Sequence, residues 1–142
     1  MIEILFRGIN IDGLRKAKSW VYGTPIDCVD TIGNPYKKMV CYNFAIKEHC
    51  FSNIIKIESC TLGQYTGLTD KNGTKIFEGD IVKLNSFVTK DMALIKFRDG
   101  YFDISAYMYD RDIWQTLSTA SAKAWEVIGN IHDNPELLEG NV

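Results

Sequence analysis

The chain has 142 residues, of which 46% are hydrophobic and 24% are charged, and its formal net charge is −2. A chain of this length buries enough apolar surface to fold without a metal or disulfide staple, and its composition does not indicate intrinsic disorder. The overall charge also argues against nonspecific DNA binding, which requires many lysines and arginines that neutralise phosphates.

The charges are unevenly distributed along the chain. Residues 101–142 hold two basic and seven acidic residues, whereas residues 1–100 hold 14 basic and 11 acidic residues. The C-terminal part is therefore a poor candidate for a nucleic-acid surface. Glu3 and Arg7 interrupt the first ten residues, where a secretory signal needs an apolar core. No apolar run approaches the roughly 20 residues that span a bilayer, so we expect a cytoplasmic protein without membrane contact.

The first sixty residues predict a small β unit of four or five strands. Period-two alternation with β-branched and aromatic residues is typical of strands. It is clearest from Lys38 to Lys47, where Val40, Tyr42, Phe44 and Ile46 fall on one face. The other predicted strands are Glu3–Arg7, Trp20–Gly23, Ile26–Ile32 and Ile54–Glu58.

Two Gly-containing dipeptides predict β-hairpins in the second half, because a type I′ turn needs positive φ at both central residues. With Asn72-Gly73 as the loop, Asp70 faces Lys75 and Leu68 faces Phe77. With Asp99-Gly100 as the loop, the facing pairs are Phe97 with Phe102, Lys96 with Asp103 and Ile95 with Ile104. Each set of pairs is chemically matched, which favours both hairpins.

Between the two hairpins, the segment Glu78-Gly79-Asp80 predicts a sharp corner. Gly79 permits a backbone conformation that a Cβ disfavours, and the Asp80 carboxylate can accept backbone N–H bonds at the entry to the next strand. Such a Gly-Asp corner before an apolar strand is typical of SH3-like barrels. A further strand is predicted over Trp125–Ile131.

Helix is scarce in this sequence. Asp112 is predicted to begin a short turn that carries Trp114 and Leu117, and the segment Asn134–Gly140 has the cap, proline and terminal glycine of one or two helical turns. The predicted fold is therefore mostly β: an N-terminal β unit (1–60) packed on a C-terminal SH3-like barrel (61–142), with one or two short helical turns.

Several segments in the same order resemble YopX-type proteins, which bacteriophages and prophages encode. The matching segments are Trp20–Gly23, Gly63–Gly73, Ile76–Val82, Phe97–Gly100 and Val127–Leu138. The resemblance implies a mostly β phage protein that acts in the cytoplasm of the bacterial host and can be oligomeric. It implies no activity and no catalytic residue.

The sequence offers no cofactor site and no metal site. Its four cysteines form no Cys-x-x-Cys pair, so the knuckles of a zinc site are missing and inert thiols are expected. His49-Cys50 and His132-Asp133 are adjacent pairs, and neighbouring residues on a strand point to opposite faces, which does not suit acid–base cooperation. We therefore assign no catalytic residue and favour a non-enzymatic protein.

One enzymatic alternative stays open at this point. The carboxylates of Glu78, Asp80, Asp99 and Asp103 could together bind Mg²⁺ in a metal-dependent hydrolase or nuclease. Each carboxylate also has a simple structural explanation: the corner for Glu78 and Asp80, the turn for Asp99 and a cross-strand pair with Lys96 for Asp103.

Four aromatic residues form the candidate binding surface, namely Tyr101, Tyr107, Tyr109 and Trp114. They stand at odd and even positions, so some are expected to face outward, and exposed Tyr and Trp favour protein interfaces. We expect an accessory protein that binds a host or phage protein or itself as a homo-oligomer. A weak nucleic-acid-binding module is a further alternative, since the same residues stack on single-stranded bases, but the surrounding acids oppose it.

Overall fold

The computed structural model describes residues 3–12, 19–43, 48–84, 92–108 and 111–139; the side chains of 43, 48–52, 106–108 and 111–114 lie outside that description. The prediction of a mostly β protein with short helical turns is confirmed over these residues. The strands are β1 (Phe6–Asn10), β2 (Trp20–Val29), β3 (Pro35–Asn43), β4 (Glu48–Thr69), β5 (Lys75–Phe77), β6 (Asp80–Leu84), β7 (Met92–Arg98), β8 (Tyr101–Met108), β9 (Arg111–Thr116) and β10 (Trp125–Asn130), and the helices are α1 (Thr119–Ala122) and α2 (Glu136–Glu139).

The chain forms two compact units, Glu3–Gln64 and Tyr65–Val142, and the long strand β4 runs from the first into the second. The predicted SH3-like barrel over 61–142 stays a prediction, as does the predicted division after residue 60. Among the described residues, no helix is long and apolar enough to cross a membrane.

The strands of the first unit form a closed cycle. β1 pairs with β2, β2 with β3, β3 with β4, and β4 returns to β1, all antiparallel. A bulge interrupts the β1–β4 ladder, and there the Thr61 hydroxyl accepts the N–H of Ile9 at 2.9 Å. Because the cycle closes, the backbone N–H and C=O groups at the strand edges find partners within the unit, whereas unpaired edges promote aggregation. The buried apolar side chains of this unit include Leu5, Ile9, Met39 and Ile57.

Gly23 allows β2 to serve two ladders at once, because it pairs with Phe6 on one side and with Cys41 on the other. A Cβ at this position would lie 1.9 Å from the carbonyl oxygen of Val40. The backbones therefore approach too closely for any residue except glycine.

The second unit is built on a five-stranded antiparallel sheet in the order β10-β6-β7-β8-β9. Its buried cluster consists of Ile76, Val82, Ala93, Ile95, Ile104, Leu117, Ala122 and Trp125. Apolar residues alternate along the central strands and cover one face of the sheet, as a half-buried antiparallel sheet requires.

The second hairpin is confirmed in full. Phe97 pairs with Phe102, Lys96 with Asp103 and Ile95 with Ile104. Asp99 and Gly100 have φ values of 50° and 90°, the positive pair of a type I′ turn.

The register predicted for the first hairpin is wrong. Lys75 pairs with Thr69 instead of Asp70, and Phe77 pairs with Tyr65 instead of Leu68. Asp70 leaves the ladder because its side chain accepts hydrogen bonds within the loop, and the loop is lengthened accordingly. Such an Asx turn competes with strand pairing.

The predicted corner at Gly79 is confirmed. Gly79 has φ +87°, its N–H donates to the Ile95 carbonyl at 2.9 Å, and its own carbonyl accepts the N–H of Ile131 at 3.0 Å. The Asp80 carboxylate accepts the N–H of Phe77 at 2.8 Å, as expected.

The short turn predicted to begin at Asp112 is wrong, because residues 111–116 form strand β9. Six consecutive pairs with β8 override the local capping preference. Helix α1 follows instead, with a capping box in which the side chains of Ser118 and Ser121 each accept the other's backbone N–H.

Candidate functional site

Asp70 is a buried acid with a structural task. One of its carboxylate oxygens accepts the N–H groups of Asn72 and Thr74 at 2.8 and 2.9 Å, and the other accepts the N–H of Val127 at 2.9 Å. Burial alone would raise the pKa of Asp70, but the three backbone bonds and the charge of Lys123 outweigh it and lower the pKa below 3.8. The ionised Asp70 side chain therefore links the loop 70–74 to β10 by hydrogen bonds.

Two of the four acids that were considered for a metal site, Asp80 and Asp103, are buried and engaged in contacts within the protein. Asp80 is 1% exposed and bonded to its own corner, and Asp103 is fully buried with Ser105 at 2.9 Å and Arg98 at 3.1 Å. The partner of Asp103 is thus Arg98, although the ladder places Lys96 opposite it. Asp99 is exposed in the turn. Among the residues described, no three His, Cys, Asp or Glu side chains group closely enough to hold a metal.

The predicted aromatic surface is partly placed. Tyr101 is half-buried on β8, while the backbones of Tyr107 and Trp114 are described on β8 and β9 without their side chains. Tyr109 lies outside the described residues. The register puts Trp114 opposite Ser105, so the positions of Tyr101, Tyr107 and Trp114 share one face of the sheet. That some of the four aromatic residues form a binding surface stays a prediction.

Strand β9 is the last strand of its sheet, and its outer backbone edge can be read from the ladder. The N–H of Leu117 donates to the Phe102 carbonyl at 2.9 Å. Because the direction of the backbone N–H and C=O groups alternates along a strand, those of Ile113 and Gln115 also point to β8. The backbone groups of Asp112, Trp114 and Thr116 consequently point away from β8. Of these, the Thr116 carbonyl accepts the Ser121 hydroxyl at 3.4 Å.

The opposite edge of the same sheet is covered. The outward carbonyl of Trp125 on β10 accepts the N–H of Lys71 at 3.1 Å, and the outward N–H of Val127 donates to Asp70. The loop after β4 therefore covers β10, whereas no described residue pairs with the outer side of β9.

A surface that the sequence did not reveal lies on the first unit. Lys38 and Lys56 occupy directly opposite positions of the β3–β4 ladder, and their ammonium groups lie 5.8 and 4.9 Å from the centre of the Tyr36 ring. Met39 and Ile57, the next residues along each strand, are buried, so the two lysines stand on the outer face of the unit.

Apolar side chains surround the two lysines. Ile26 pairs with Lys38 and is 38% exposed, and Ile54 pairs with Val40 and is 36% exposed. Here this surface is called the lysine face, defined by Ile26, Tyr36, Lys38, Val40, Ile54 and Lys56. Within the described part of the chain, neither lysine forms an ion pair with a carboxylate, and both interact with Tyr36 by cation–π contact.

A groove of about 400 Å³ opens beside the lysine face and shares Tyr36 with it. Its lining includes the ion pair of Asp27 with Lys37, together with Val29 and Pro35. Val29 is 67% exposed, so the groove has an apolar rim at the end of the β2–β3 hairpin.

The sequence held only a weak signal for the lysine face. Alternation in β3 indicated which residues share a side, but the pairing of Lys38 with Lys56 spans 18 positions and depends on the β3–β4 register. Nothing local specifies that register, since the intervening residues contain no Asn-Gly or Asp-Gly turn.

Comparison with known proteins decides the family. The family model described as YopX protein matches residues 15–139. The chain belongs to the YopX protein family. A curated relative, the SPbeta prophage-derived uncharacterized protein YopX of Bacillus subtilis (strain 168), is 38% identical over 76 residues, covering 48% of this chain and 53% of the relative. The chain thus spans about half the length of that relative.

The fold has a counterpart among solved structures. The crystal structure of protein EF1440 from Enterococcus faecalis superposes with a TM-score of 0.55 and 23% sequence identity, covering 97% of this chain and 99% of that one. At this identity the similarity concerns the fold alone.

Proposed function

We propose that this chain is a phage-encoded accessory protein that acts in the bacterial cytoplasm by binding an acidic protein partner, without catalysis. The observation that carries the proposal is the pair Lys38 and Lys56, held side by side without a carboxylate partner among the described residues. Like charges at directly opposite ladder positions repel each other. A partner carboxylate placed between them would remove that repulsion.

The chemistry around the lysines suits a protein surface. Partly exposed Ile26 and Ile54 supply apolar area, Tyr36 is an amphipathic aromatic residue, and the neighbouring groove can receive an apolar side chain. The exposed Glu58 lies two residues from Lys56 on the same strand. Its negative charge offsets one of the two lysines, so the net charge of this surface is about +1. We therefore propose a segment that carries both apolar and acidic side chains.

A nucleic-acid partner is supported less well. Two lysines neutralise only two phosphates, and each phosphate contact contributes a separate increment to affinity and to its salt dependence. The net charge of −2 adds long-range repulsion. The nuclease alternative is also weakened, because Asp80 and Asp103 are already engaged in structural contacts.

Affinity capture from lysates of the bacterial host, followed by reconstitution with the purified partner, tests the proposal. We expect the wild type and the charge-conserving K38R/K56R variant to bind the partner, and K38E/K56E to lose it. The dissociation constant of the reconstituted complex should rise as salt is added, because the lysine contacts are screened.

Two results would overturn the proposal. One is an undiminished affinity of K38E/K56E for the purified partner while K38R/K56R behaves as the wild type. The other is a pair of findings: nuclease treatment of the lysate abolishes the capture of proteins, and the purified chain binds a single-stranded oligonucleotide. Together they would establish a nucleic-acid-binding module.

A further inference from the structure

We propose that Asn72 is a deamidation site whose reaction is slowed by the fold, and that the product of the reaction weakens the loop 70–74. This inference concerns the second unit of the chain and is independent of the proposed acidic partner. It starts from the exposed dipeptide Asn72-Gly73, which has no part in the proposed function.

The dipeptide carries both reactants of an intramolecular substitution. The backbone nitrogen of Gly73 attacks the side-chain carbonyl carbon of Asn72, and the new N–C bond replaces the bond from that carbon to Nδ2. Ammonia leaves with the proton of the Gly73 N–H, and a five-membered succinimide ring remains. Water then opens the ring at either carbonyl, which gives aspartate or isoaspartate at position 72. Glycine permits this attack readily, because it has no Cβ to obstruct its nitrogen or restrict its backbone.

Both reacting groups are engaged in hydrogen bonds in the folded loop. The Gly73 N–H donates to the Asp70 carbonyl at 3.1 Å, which favours the protonated, unreactive amide. The Asn72 Nδ2 donates to the Glu126 carboxylate on β10 at 3.2 Å. Because an ionised carboxylate only accepts hydrogen bonds, this contact fixes the orientation of the Asn72 amide. Ring closure therefore requires that both hydrogen bonds break.

The product is incompatible with the contact between Asn72 and β10. Aspartate at position 72 replaces the Nδ2 donor by a carboxylate oxygen, which would face the Glu126 carboxylate where the hydrogen bond is now. Like charges at this distance repel, although Lys71 offsets part of the repulsion through its ion pair with Glu126 at 3.3 Å. Isoaspartate instead lengthens the backbone by a methylene group within the loop that the bond from the Thr74 N–H to Asp70 closes. Each product therefore weakens the loop.

Peptide mapping by mass spectrometry tests the protection with full-length protein incubated at mildly alkaline pH. The deamidation rate of each protein is measured in the folded state and in concentrated urea, and the ratio of the two rates removes the intrinsic effect of the local sequence. We expect the folded wild type to react about tenfold more slowly than the unfolded chain, or more slowly still. This comparison does not depend on any variant.

Variants of two neighbouring residues show whether the amide contact provides the protection. E126A removes the acceptor of the Asn72 amide, so its folded rate should rise by about threefold or more. E126Q keeps an oxygen acceptor and should remain close to the wild type. K71A removes the ion pair with Glu126 but leaves the amide contact, and it should also remain protected. Circular dichroism and thermal melting establish that the three variants are folded.

N72D tests the effect of the product, because it carries the aspartate form from the start. N72A is the matched control, since it loses the same hydrogen bond to Glu126 without adding a charge. We expect a lower urea midpoint for N72D than for N72A, and the difference between the two midpoints should shrink as salt is added.

Three outcomes would overturn the proposal. They are a folded wild type that deamidates as fast as the unfolded chain, a folded E126A variant that is protected as well as E126Q, and equal urea midpoints for N72D and N72A. None of these measurements needs a binding partner, so a failure of the acidic-partner proposal and a failure of this one are distinguishable.

Discussion

At the scale of single residues, the buried acid Asp70 has a structural role. Asp70 makes three backbone hydrogen bonds that join the loop 70–74 to β10. A carboxylate has the acceptors for all three, whereas an amide replaces one acceptor with a donor. The ionised form of Asp70 is thus the form that the fold requires.

We expect D70N to lower the free energy of unfolding at pH 7 by about 1–3 kcal/mol, because at least one buried N–H loses its acceptor. The pKa of Asp70 is lowered in the folded state, so its ionisation stabilises the fold fully above the unfolded value and less as pH falls through the folded value. The difference between wild type and D70N should therefore shrink as the pH is lowered below 3.8.

Urea unfolding of both proteins at pH 7 and at about pH 3 measures this difference. D70S, which keeps a hydroxyl acceptor but carries no charge, is a second test: its deficit relative to the wild type should also shrink at low pH, because the wild-type Asp70 is the group that titrates. A gap between wild type and D70N that is the same at both pH values would contradict the role given to the charge.

Gly79 adopts a backbone conformation that favours glycine, although the space beside it is open. Its φ is +87°, yet a Cβ would meet nothing closer than Ile131 at 3.7 Å. We expect G79V to lose about 1–3 kcal/mol through backbone conformation alone. G79N should lose less, since asparagine tolerates the left-handed region better than a β-branched residue. Equal unfolding midpoints for G79V and the wild type would show that the corner relaxes freely.

At the scale of elements, the two hairpins show what the sequence determines locally. Asp99-Gly100 predicted its register correctly because the matched pairs on both sides agree with a two-residue turn. The register predicted from Asn72-Gly73 was wrong because the Asp70 side chain accepts hydrogen bonds within the loop, so Asp70 does not pair in the ladder. Its third partner, Val127, lies 57 positions away and cannot be recognised from local sequence.

The same contrast gives a matched prediction. Asp99 has φ 50°, whereas Asn72 is not among the described non-glycine residues with positive φ. We expect D99A to cost about 1 kcal/mol because alanine is disfavoured in the left-handed region. N72A should cost less than about 0.5 kcal/mol, as for an ordinary surface substitution. Chemical denaturation of both variants measures the contrast, and a larger loss for N72A would reverse our assignment of the turns.

At the scale of the whole molecule, the lysine face and the outer edge of β9 both depend on pairing between residues that are far apart in sequence. Composition and alternation were enough to predict a mostly β chain, and the order of motifs was enough to indicate the family. The lysine face requires the β3–β4 register, and the open edge of β9 requires the order of five strands. Both are set by burial across the sheet, so a local pattern could not place them.

Hydrogen exchange over the whole chain tests that strand order directly. Amides on the central strands β6 and β7 should exchange most slowly, because each of these strands is hydrogen-bonded to a neighbouring strand on both sides and is buried. Along β9 we expect alternation: Ile113 and Gln115, which bond to β8, should be protected, while Asp112 and Trp114 should exchange rapidly. Equal protection of all four amides would mean that another part of the chain covers the outer edge of β9.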